Sequence, residues 1–345
     1  MSGVLKSGGE PTISDVARIS GVSKKTVSRV INRSPMLNQE TRLRIESVIA
    51  ELGYVPNPAA RGLALRRNFV LGMIYDNPNA QMVLNFQEGV LDAIRTTDYA
   101  LLIHPVDRYS PTLFNEIRSF VVHQKPAGVM LLPPLSENDL LADLLTELGC
   151  PYVRMGSADL DDPSRLVKSS DRQSMREATE YLIRLGHRSI ALVKGPDGFR
   201  SSVERHMGWR EAMLTHNMGY DDQHVAVGAY TFDSGKLAGG KLLDQPGTSY
   251  TAIVASNDIM AAGVIHAARE RGLNVPQDIS VVGFDDTAIA ETTWPPLTTV
   301  RWPIRDMARS AALKLIRPES AGEEQYSFPT TLVERESTAF AKPRT

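Results

Sequence analysis

The segment TISDVARISGVSKKTVSRVINRSP, residues 12–35, predicts two short helices joined by a tight turn. Thr12 is a suitable N-cap for the first helix, and Gly21 is a suitable residue to end it. Ser23 is a good N-cap for a second helix that runs through about Ile31. Apolar residues recur at helical spacing in both helices, so one face of each is expected to pack against the other. The segment therefore predicts a helix-turn-helix.

Polar and cationic side chains cover the outward face of the second helix. They are Lys24, Lys25, Thr26, Ser28, Arg29 and Asn32. Lys24 and Lys25 occupy the first turn, where the positive end of the helix dipole disfavours each cation by roughly 0.3–1 kcal/mol. A helix N-terminus in a DNA groove would instead meet phosphates and guanine edges, which accept hydrogen bonds. An ordinary surface hairpin is the alternative interpretation, and the two lysines favour DNA.

The charge of the chain is divided unevenly along its length. Residues 1–67 hold 11 Lys and Arg against 5 Asp and Glu, whereas residues 68–345 hold 27 against 35. The net charge of −2 therefore conceals a basic head and an acidic body, which concentrates attraction for nucleic acid at one end of the sequence. A length of 345 residues fits such a head together with one or two α/β lobes.

Cysteine content and hydropathy indicate a cytoplasmic protein. Cys150 is the only cysteine, so no intramolecular disulfide can form and a reducing cytosol is suitable. No apolar run approaches the roughly 18 residues that a membrane span needs. Residues 1–11 contain no signal-peptide core, and we expect them to form a disordered tail.

A third helix, about 39–52, is expected to complete an all-α DNA-binding domain over residues 12–56. Residues 57–67 contain a short helix-forming stretch, but isolated helices need about 12–15 residues to be stable. We therefore expect a hinge that becomes helical only against DNA and a dimer partner. Leu63 is either a wedge in the minor groove or a linker residue packed against the body, and composition alone does not decide between them.

In the body of the sequence, short apolar strands alternate with helical stretches. The predicted strands are 69–75, 99–106, 128–134, 152–157, 189–195, 252–257 and 279–286, and the predicted helices are 86–95, 111–123, 137–148, 174–185, 203–215, 232–243 and 259–271. This alternation predicts doubly wound parallel sheets, in which ligands bind beyond the carboxyl ends of the strands. We expect residues 68–345 to form two lobes that close around a small molecule. The first lobe covers about 68–166 and 300–327, and the second about 167–299 and 328–345.

Several ordered blocks of the sequence resemble the LacI/GalR (lactose-repressor) family of bacterial transcriptional regulators over roughly residues 12–340. The head contains DVARISGVSKKTVSRVIN and the hinge region contains ELGYVPNPAARGLA. The body contains LGHRSIALVKGP, RHMGWREAM, SNDIMAAGV, VPQDISVVGFDD and PPLTTVR in the family's order. The resemblance implies a helix-turn-helix head, two parallel-sheet lobes of periplasmic-binding-protein type, and a homodimer on near-palindromic operator DNA.

The resemblance also implies which residues touch DNA. Lys24, Lys25 and Arg29 are expected to read bases in the major groove, and Leu63 matches the family's intercalating leucine, which favours the wedge. The full set is Thr12, Ser23, Lys24, Lys25, Thr26, Ser28, Arg29, Asn32, Asn38, Thr41, Asn57 and Leu63.

A second set of residues is implied to bind a small-molecule effector. It is Asp76, Asn77, Asp171, Phe199, Ser201, Arg205, Tyr230, Asn257, Phe284, Asp285 and Trp302. Arg205 and Asp285 match the charged pair with which family members hold hydroxyls or polar ring edges. A structural ion pair is the alternative for these two, and core packing is the alternative for Tyr230 and Phe284. Aromatic rings beside a guanidinium and a carboxylate suit a sugar.

The predicted function is a DNA-binding repressor of genes for carbohydrate uptake or catabolism, released by a sugar effector. Two places depart from the family pattern. Residues 77–81 lack the aromatic residues that follow Asn-Pro in many relatives, and Trp302 stands where relatives often have Gln. The identity of the ligand therefore cannot be inferred from relatives. A regulator corepressed by a purine or another metabolite remains the alternative, and a solute-binding protein is a remote one. Hydrolase, P-loop, zinc-protease and G-x-G-x-x-G motifs are absent, so we expect no enzyme, cofactor or metal. The C-terminal region lacks a heptad stretch, which favours a dimer over a tetramer.

Overall fold

The computed structural model describes residues 11–31, 37–55, 68–76, 80–247 and 249–342. They belong to two compact units, with the boundary between Phe69 and Val70. The first ten residues of the expected tail, 1–10, and the whole expected hinge, residues 57–67, lie outside the described residues. Among the described helices, none combines the length and the apolar character that crossing a membrane requires.

Helices and strands alternate from residue 70 onward. The helices are α1 (Ile13–Ser20), α2 (Lys24–Ile31), α3 (Gln39–Leu52), α4 (Ala80–Ile94), α5 (Leu113–Gln124), α6 (Asp139–Glu147), α7 (Asp171–Arg184), α8 (Arg200–Thr215), α9 (Phe232–Leu243), α10 (Asp258–Glu270), α11 (Ala288–Thr292) and α12 (Ile304–Ile316). The strands are β1 (Val70–Tyr75), β2 (Ala100–Pro105), β3 (Gly128–Leu131), β4 (Tyr152–Gly156), β5 (Leu166–Ser169), β6 (Ile190–Lys194), β7 (Val225–Val227), β8 (Ala252–Ala255), β9 (Ser280–Val282), β10 (Thr299–Arg301), β11 (Ser327–Phe328) and β12 (Thr331–Val333).

The first unit is a three-helix head around a small apolar core. Its buried apolar residues are Val16, Ala17, Val27, Val30, Ile45 and Val48. Gly21 ends α1 with a φ of +69°, a left-handed conformation that glycine adopts without steric cost. Ser23 begins α2, and its Oγ accepts a hydrogen bond from the Thr26 amide at 3.1 Å. The predicted helix-turn-helix is confirmed, because the turn signals and the apolar spacing specify the same geometry.

The first lobe of the body is built on a six-stranded parallel sheet in the order β11-β5-β4-β3-β1-β2. α4 and α12 cover one face around Phe86 and Met307, and α5 and α6 cover the other around Ile117 and Leu141. Gly89 allows α4 and α12 to approach closely, because a Cβ there would lie 2.2 Å from the Arg305 carbonyl oxygen.

The second lobe is built on a four-stranded parallel sheet in the order β7-β6-β8-β9. α7 and α8 pack on one face around Trp209, and α9 and α10 pack on the other around Met260. The antiparallel pair β10 and β12 adjoins this sheet through bridges from Val282 to Thr298 and from Asp285 to Arg301. Two doubly wound parallel-sheet lobes are therefore present, as the sequence predicts.

The chain crosses between the lobes one to three residues later than expected. β5 pairs with β4 in the first sheet, so the crossing follows Ser169, not residue 166. β10 adjoins the second lobe, so the return crossing follows Arg301, and Phe328 still belongs to the first sheet through β11. These strands are two to four residues long. Their hydrophobic patterns are too short to assign them to one sheet from sequence.

Candidate DNA interface and ligand cleft

The outward face of α2 is cationic in the structure as in the sequence pattern. Val27 and Val30 are buried in the head, while Lys24, Lys25 and Arg29 are exposed. The first turn of α2 contains no acidic residue that would neutralise the two lysines. Donors therefore cluster at the positive end of the helix, an arrangement suited to phosphates and base edges.

Three further residues of the expected DNA set determine where the helices of the head begin. Thr12, Ser23 and Asn38 precede α1, α2 and α3, and their side chains make hydrogen bonds of 2.7–3.1 Å to the first turns. Thr41, in the first turn of α3, is half-buried, as are Thr26 and Ser28. Asn32, Asn57 and Leu63 lie outside the described residues.

A partly open cavity lies between the two lobes of the body. The first lobe contributes residues that follow β3 and β4 together with the start of α4, and the second lobe contributes the starts of α7, α8 and α10. The lining residues are Met82, Pro133, Gly156, Ser157, Asp171, Phe199, Ser201, Arg205, Tyr230, Asn257, Asp285 and Trp302. The cavity thus lies beyond the carboxyl ends of the strands, where ligands bind in parallel α/β sheets.

Arg205 is the central polar residue of this cavity. Its side chain is only 4% exposed, and its Nε donates a hydrogen bond to Asp171 Oδ2 at 2.8 Å. Its Nη1 lies 3.6 Å from Asp285 Oδ1 and donates a hydrogen bond to the Ser256 carbonyl oxygen. The guanidinium is therefore held in one orientation by groups from three segments of the second lobe.

In formal charges, this cluster of one guanidinium and two carboxylates has no positive excess. Burial raises the pKa of Asp285 well above its usual range, against the lowering effect of Arg205. With both carboxylates ionised, Arg205, Asp171 and Asp285 sum to one negative charge, and protonation of Asp285 makes the sum zero. Asp285 also has a φ of +110°, which is costly for a residue with a Cβ. Such strain is concentrated at functional positions.

Aromatic rings form the apolar walls of the cavity. Phe199 packs edge to face against Tyr230 with ring centroids 5.3 Å apart. The Tyr230 hydroxyl lies 3.2 Å from Ser201 Oγ, and burial raises the pKa of Tyr230 to about 12, so this hydroxyl stays protonated. Asn257 caps α10 by accepting from the Met260 amide at 2.9 Å. Rings beside fixed donors and acceptors match a molecule that has both apolar and hydroxylated faces.

Two expected effector residues do not line the cavity. Phe284 is fully buried and stacks behind Arg205, with the guanidinium carbon 3.6 Å from its ring centroid. Its role is therefore to support Arg205. Asp76 follows β1, but its carboxylate accepts a hydrogen bond from the Arg108 amide at 3.0 Å and so faces the loop after β2. Asn77 lies outside the described residues.

Four lining residues were missed by sequence reasoning, and all come from the first lobe. Gly156 is the last residue of β4, and Pro133 and Ser157 closely follow the carboxyl ends of β3 and β4, so the rule for parallel sheets could have indicated all three. Met82 carries no comparable signal. Ser157 Oγ and Trp302 Nε1 are buried and have no hydrogen-bond partner among the described residues, so both can serve a ligand. No cluster of His, Cys, Asp and Glu in the described part of the chain could hold a metal ion.

Two protein-family models match separate parts of the chain. Residues 12–57 match the family described as bacterial regulatory proteins, lacI family. Residues 179–338 match the family described as periplasmic binding protein-like domain. The first match covers the described head. The second match covers most of the second lobe, and it also includes α12 and β11, which belong to the first lobe.

Similarity to curated proteins extends over nearly the whole chain. The HTH-type transcriptional regulator CelR of Thermobifida fusca is 35% identical over 336 residues, which cover 95% of this chain and 98% of CelR. The lactose operon repressor of Escherichia coli is 30% identical over 337 residues, which cover 95% of this chain and 90% of that repressor. These relatives are transcriptional regulators, not enzymes.

Two solved structures align over nearly the whole chain. A complex of CelR with cellobiose aligns with a TM-score of 0.70 and 33% identity, covering 95% of this chain and 99% of that one. A lac repressor dimer bound to operator and the anti-inducer ONPF aligns with a TM-score of 0.77 and 26% identity, covering 96% and 100%.

Proposed function

This chain belongs to the LacI family of bacterial regulatory proteins and is a DNA-binding transcriptional regulator, and from that premise we propose that it is a repressor released by a sugar. Its targets would be genes for carbohydrate uptake or catabolism, and its place would be the bacterial cytoplasm, where the DNA is. A solute-binding protein of a transporter is set aside, because the head matches a DNA-binding family.

We propose that DNA is bound by a homodimer through α2 of each head. Lys24, Lys25 and Arg29 would donate to base edges in the major groove, and Thr12, Ser23, Thr26, Ser28, Asn38 and Thr41 would position the head on the backbone. Asn32, Asn57 and Leu63 complete the proposed set, with Leu63 as a minor-groove wedge at the centre of a near-palindromic operator. A flexible pyrimidine–purine step is expected at that centre.

Exposed apolar side chains of the first lobe support the proposed dimer. Leu84 and Leu91 stand seven positions apart on α4, so they share one face of that helix, and each is about half exposed. Ile103 is exposed on β2, which forms one edge of the first sheet. An apolar face beside a sheet edge favours association with a second copy. The similar lac repressor structure is a dimer.

The buried Arg205 cluster is the observation that carries the sugar proposal. Arg205, Asp171 and Asp285 present fixed charged hydrogen-bonding groups, and Phe199, Tyr230 and Trp302 present aromatic faces in the same cavity. Sugar hydroxyls need paired donors and acceptors, while the C–H faces of a sugar ring pack on aromatic rings. The similar CelR structure holds cellobiose.

Ligand binding would act on DNA through the arrangement of the two lobes. A ligand changes a two-state equilibrium only by its difference in affinity for the two states, so sugar must favour one arrangement by a few kcal/mol. We propose that the favoured arrangement holds the two heads at a spacing that the operator does not fit.

Fluorescence anisotropy of the full chain on labelled DNA from upstream of its own gene tests this function. The titrants are a panel of neutral mono- and disaccharides and a panel of purines. Release by a sugar is the expected result. Tight specific binding that no sugar weakens and that a purine strengthens would contradict the sugar proposal and establish a corepressed regulator.

A further inference from the structure

The cleft between the lobes contains a second cavity beyond Phe199. This outer cavity is open to solvent and lies between the turn after β3 and the segment that leads into α8. Its lining residues are Arg108, Tyr109, Pro134, Leu135, Glu137, Asn138, Asp139, Asp159, Leu160, Gly198, Phe199, Arg200 and Val203. Phe199 lines both cavities, and Pro133 and Pro134 line one each, so the two spaces adjoin.

The outer cavity offers polar atoms that no described residue engages. Arg108 Nη1 and Glu137 Oε1 are both buried, and neither has a hydrogen-bond partner in the described structure. The other terminal atom of each group has a hydrogen-bond partner. Arg108 Nη2 donates to the Tyr109 hydroxyl at 2.9 Å, and Glu137 Oε2 accepts from the Arg200 amide at 2.8 Å. One donor and one acceptor are therefore held in place for a ligand.

Phe199 lines both cavities and lies between the unpaired polar atoms of the outer cavity, Arg108 Nη1 and Glu137 Oε1, and those of the inner cavity. The Arg108 guanidinium carbon lies 4.6 Å from the centroid of the Phe199 ring. The inner cavity has its own unengaged pair, Ser157 Oγ and Trp302 Nε1. Tyr109 adds a largely exposed aromatic ring at the rim of the outer cavity. Each cavity thus combines an aromatic surface with unengaged polar atoms, the combination that a sugar ring requires.

The charges of both cavities argue against an anionic ligand. The inner one contains Arg205 with two carboxyl groups, and the outer one contains two guanidinium groups with three carboxyl groups. Neither has an excess of positive charge that would offset the desolvation of a phosphate or a uronate. A neutral hydroxylated molecule meets no such cost.

We propose that the cleft binds a neutral disaccharide or longer oligosaccharide, with one sugar ring in each cavity and the linkage beside Phe199. This inference rests on the proposed sugar effector and specifies its class. Arg108 and Glu137 belong to the first lobe, and Phe199 and Arg200 belong to the second. A sugar ring in the outer cavity would therefore touch both lobes and stabilise their closed arrangement. A monosaccharide, which occupies only the inner cavity, would stabilise that arrangement less.

Isothermal titration of the full chain tests this proposal. The probes are three monosaccharides (glucose, galactose and xylose), four disaccharides (cellobiose, maltose, lactose and xylobiose) and a panel of purines. The variant is Arg108→Met, which keeps an unbranched stem against Phe199 but removes every donor. Arg118→Met is the matched control, because Arg118 pairs with Glu147 on the surface and lines neither cavity.

A disaccharide is expected to bind at least about tenfold more tightly than its constituent monosaccharide. Arg108→Met should raise the Kd of that disaccharide about tenfold and change the Kd of the monosaccharide less than about twofold, and Arg118→Met should change neither. A monosaccharide that binds as tightly as its disaccharide would contradict the outer subsite and leave the sugar effector intact. If Arg108→Met raised the Kd of the disaccharide and of the monosaccharide by the same factor, the outer subsite would likewise be contradicted. Failure of all seven sugars, with binding of a purine, would contradict both proposals.

Discussion

Arg205 determines the polar chemistry of the inner cavity, because its guanidinium is fixed between Asp171 and Asp285. Arg205→Lys keeps the charge that these carboxylates need but loses the planar fork, so we expect the sugar Kd to rise at least about tenfold. Operator affinity in the absence of sugar should not change. Titration calorimetry and DNA anisotropy measure the two effects.

Arg172→Lys is the matched control for that variant, because Arg172 pairs with Glu204 and Glu211 and does not line the cavity. An unchanged sugar Kd in Arg205→Lys would remove the guanidinium from ligand recognition and leave it a structural ion pair.

Glu137 makes stability depend on pH. Burial raises its pKa from the usual 4.5 to about 7, although the Arg200 amide and the nearby charges of Arg200, Arg108 and Arg154 act in the opposite direction. The folded state therefore binds this proton more tightly than the unfolded state. The stability that the protonated form contributes is fully present below pH 4.5 and is lost as pH rises through about 7.

Glu137→Gln removes this titration. Relative to the variant, we expect the free energy of unfolding of the wild type to fall by about 1–3 kcal/mol between pH 4.5 and pH 8. Asp258, whose pKa burial raises to about 6, titrates in both proteins and cancels in the comparison. Urea unfolding at both pH values measures the difference, and parallel pH profiles for the two proteins would show that Glu137 titrates normally.

At the scale of elements, α2 should determine which operator is bound. If Lys25 donates to a base edge, Lys25→Met will relax the preference at one base pair of the half-site by about 1–3 kcal/mol. Anisotropy on single-base operator variants measures this preference, with Lys236→Met in the body as the control. A uniform loss on all sequences, with only a reduced salt dependence, would instead place Lys25 on the phosphate backbone.

α4 should hold the dimer together. Leu84→Lys places a charge on its exposed apolar face, so we expect the variant to sediment as a monomer at concentrations where the wild type is a dimer. Operator affinity should fall with it, because a near-palindrome is read by two heads. Leu140→Lys on α6 is the control, because it changes an even more exposed leucine on the other side of the first sheet. Sedimentation of Leu84→Lys as a dimer would place the interface elsewhere.

Elements with strong local signals could be predicted from the sequence. α2 begins and α3 both begins and ends where expected, because Ser23 and Asn38 are N-caps, Gly53 ends α3, and the apolar spacing is regular. α4, α7 and α8 begin three to six residues earlier than predicted, at Ala80, Asp171 and Arg200. In α7 and α8 the first turn carries a polar residue that lines the cleft, Asp171 or Ser201, and such residues break the apolar period from which a helix start is inferred.

The ligand cleft was only partly predictable, and the reason is geometric. Arg205 and Asp285 stand in family blocks and could be selected together. Gly156 and Ser157 line the cavity through their place at the end of β4, which no side-chain motif marks. Phe284 packs in the core behind Arg205, whereas its neighbour Asp285 lines the cavity. The segment after β9 is too short and irregular for a hydrophobic period to show which of the two residues faces the ligand.

At the scale of the whole molecule, the central claim is that sugar bound in the cleft weakens operator binding by the head, although the two ligands bind at different sites. Linkage requires the effect to be reciprocal: if sugar weakens operator binding by some factor, operator must weaken sugar binding by the same factor. A coupling of 1–3 kcal/mol is typical of such systems and corresponds to a factor of about 5–150.

The most direct measurement is therefore the Kd of the best-binding disaccharide, determined by titration calorimetry with the full chain free and saturated with its operator. We expect the operator-bound protein to bind the disaccharide at least about fivefold more weakly, by the same factor that the sugar weakens operator binding. An identical Kd with and without operator would contradict the claim, because the cleft and the head would then be uncoupled.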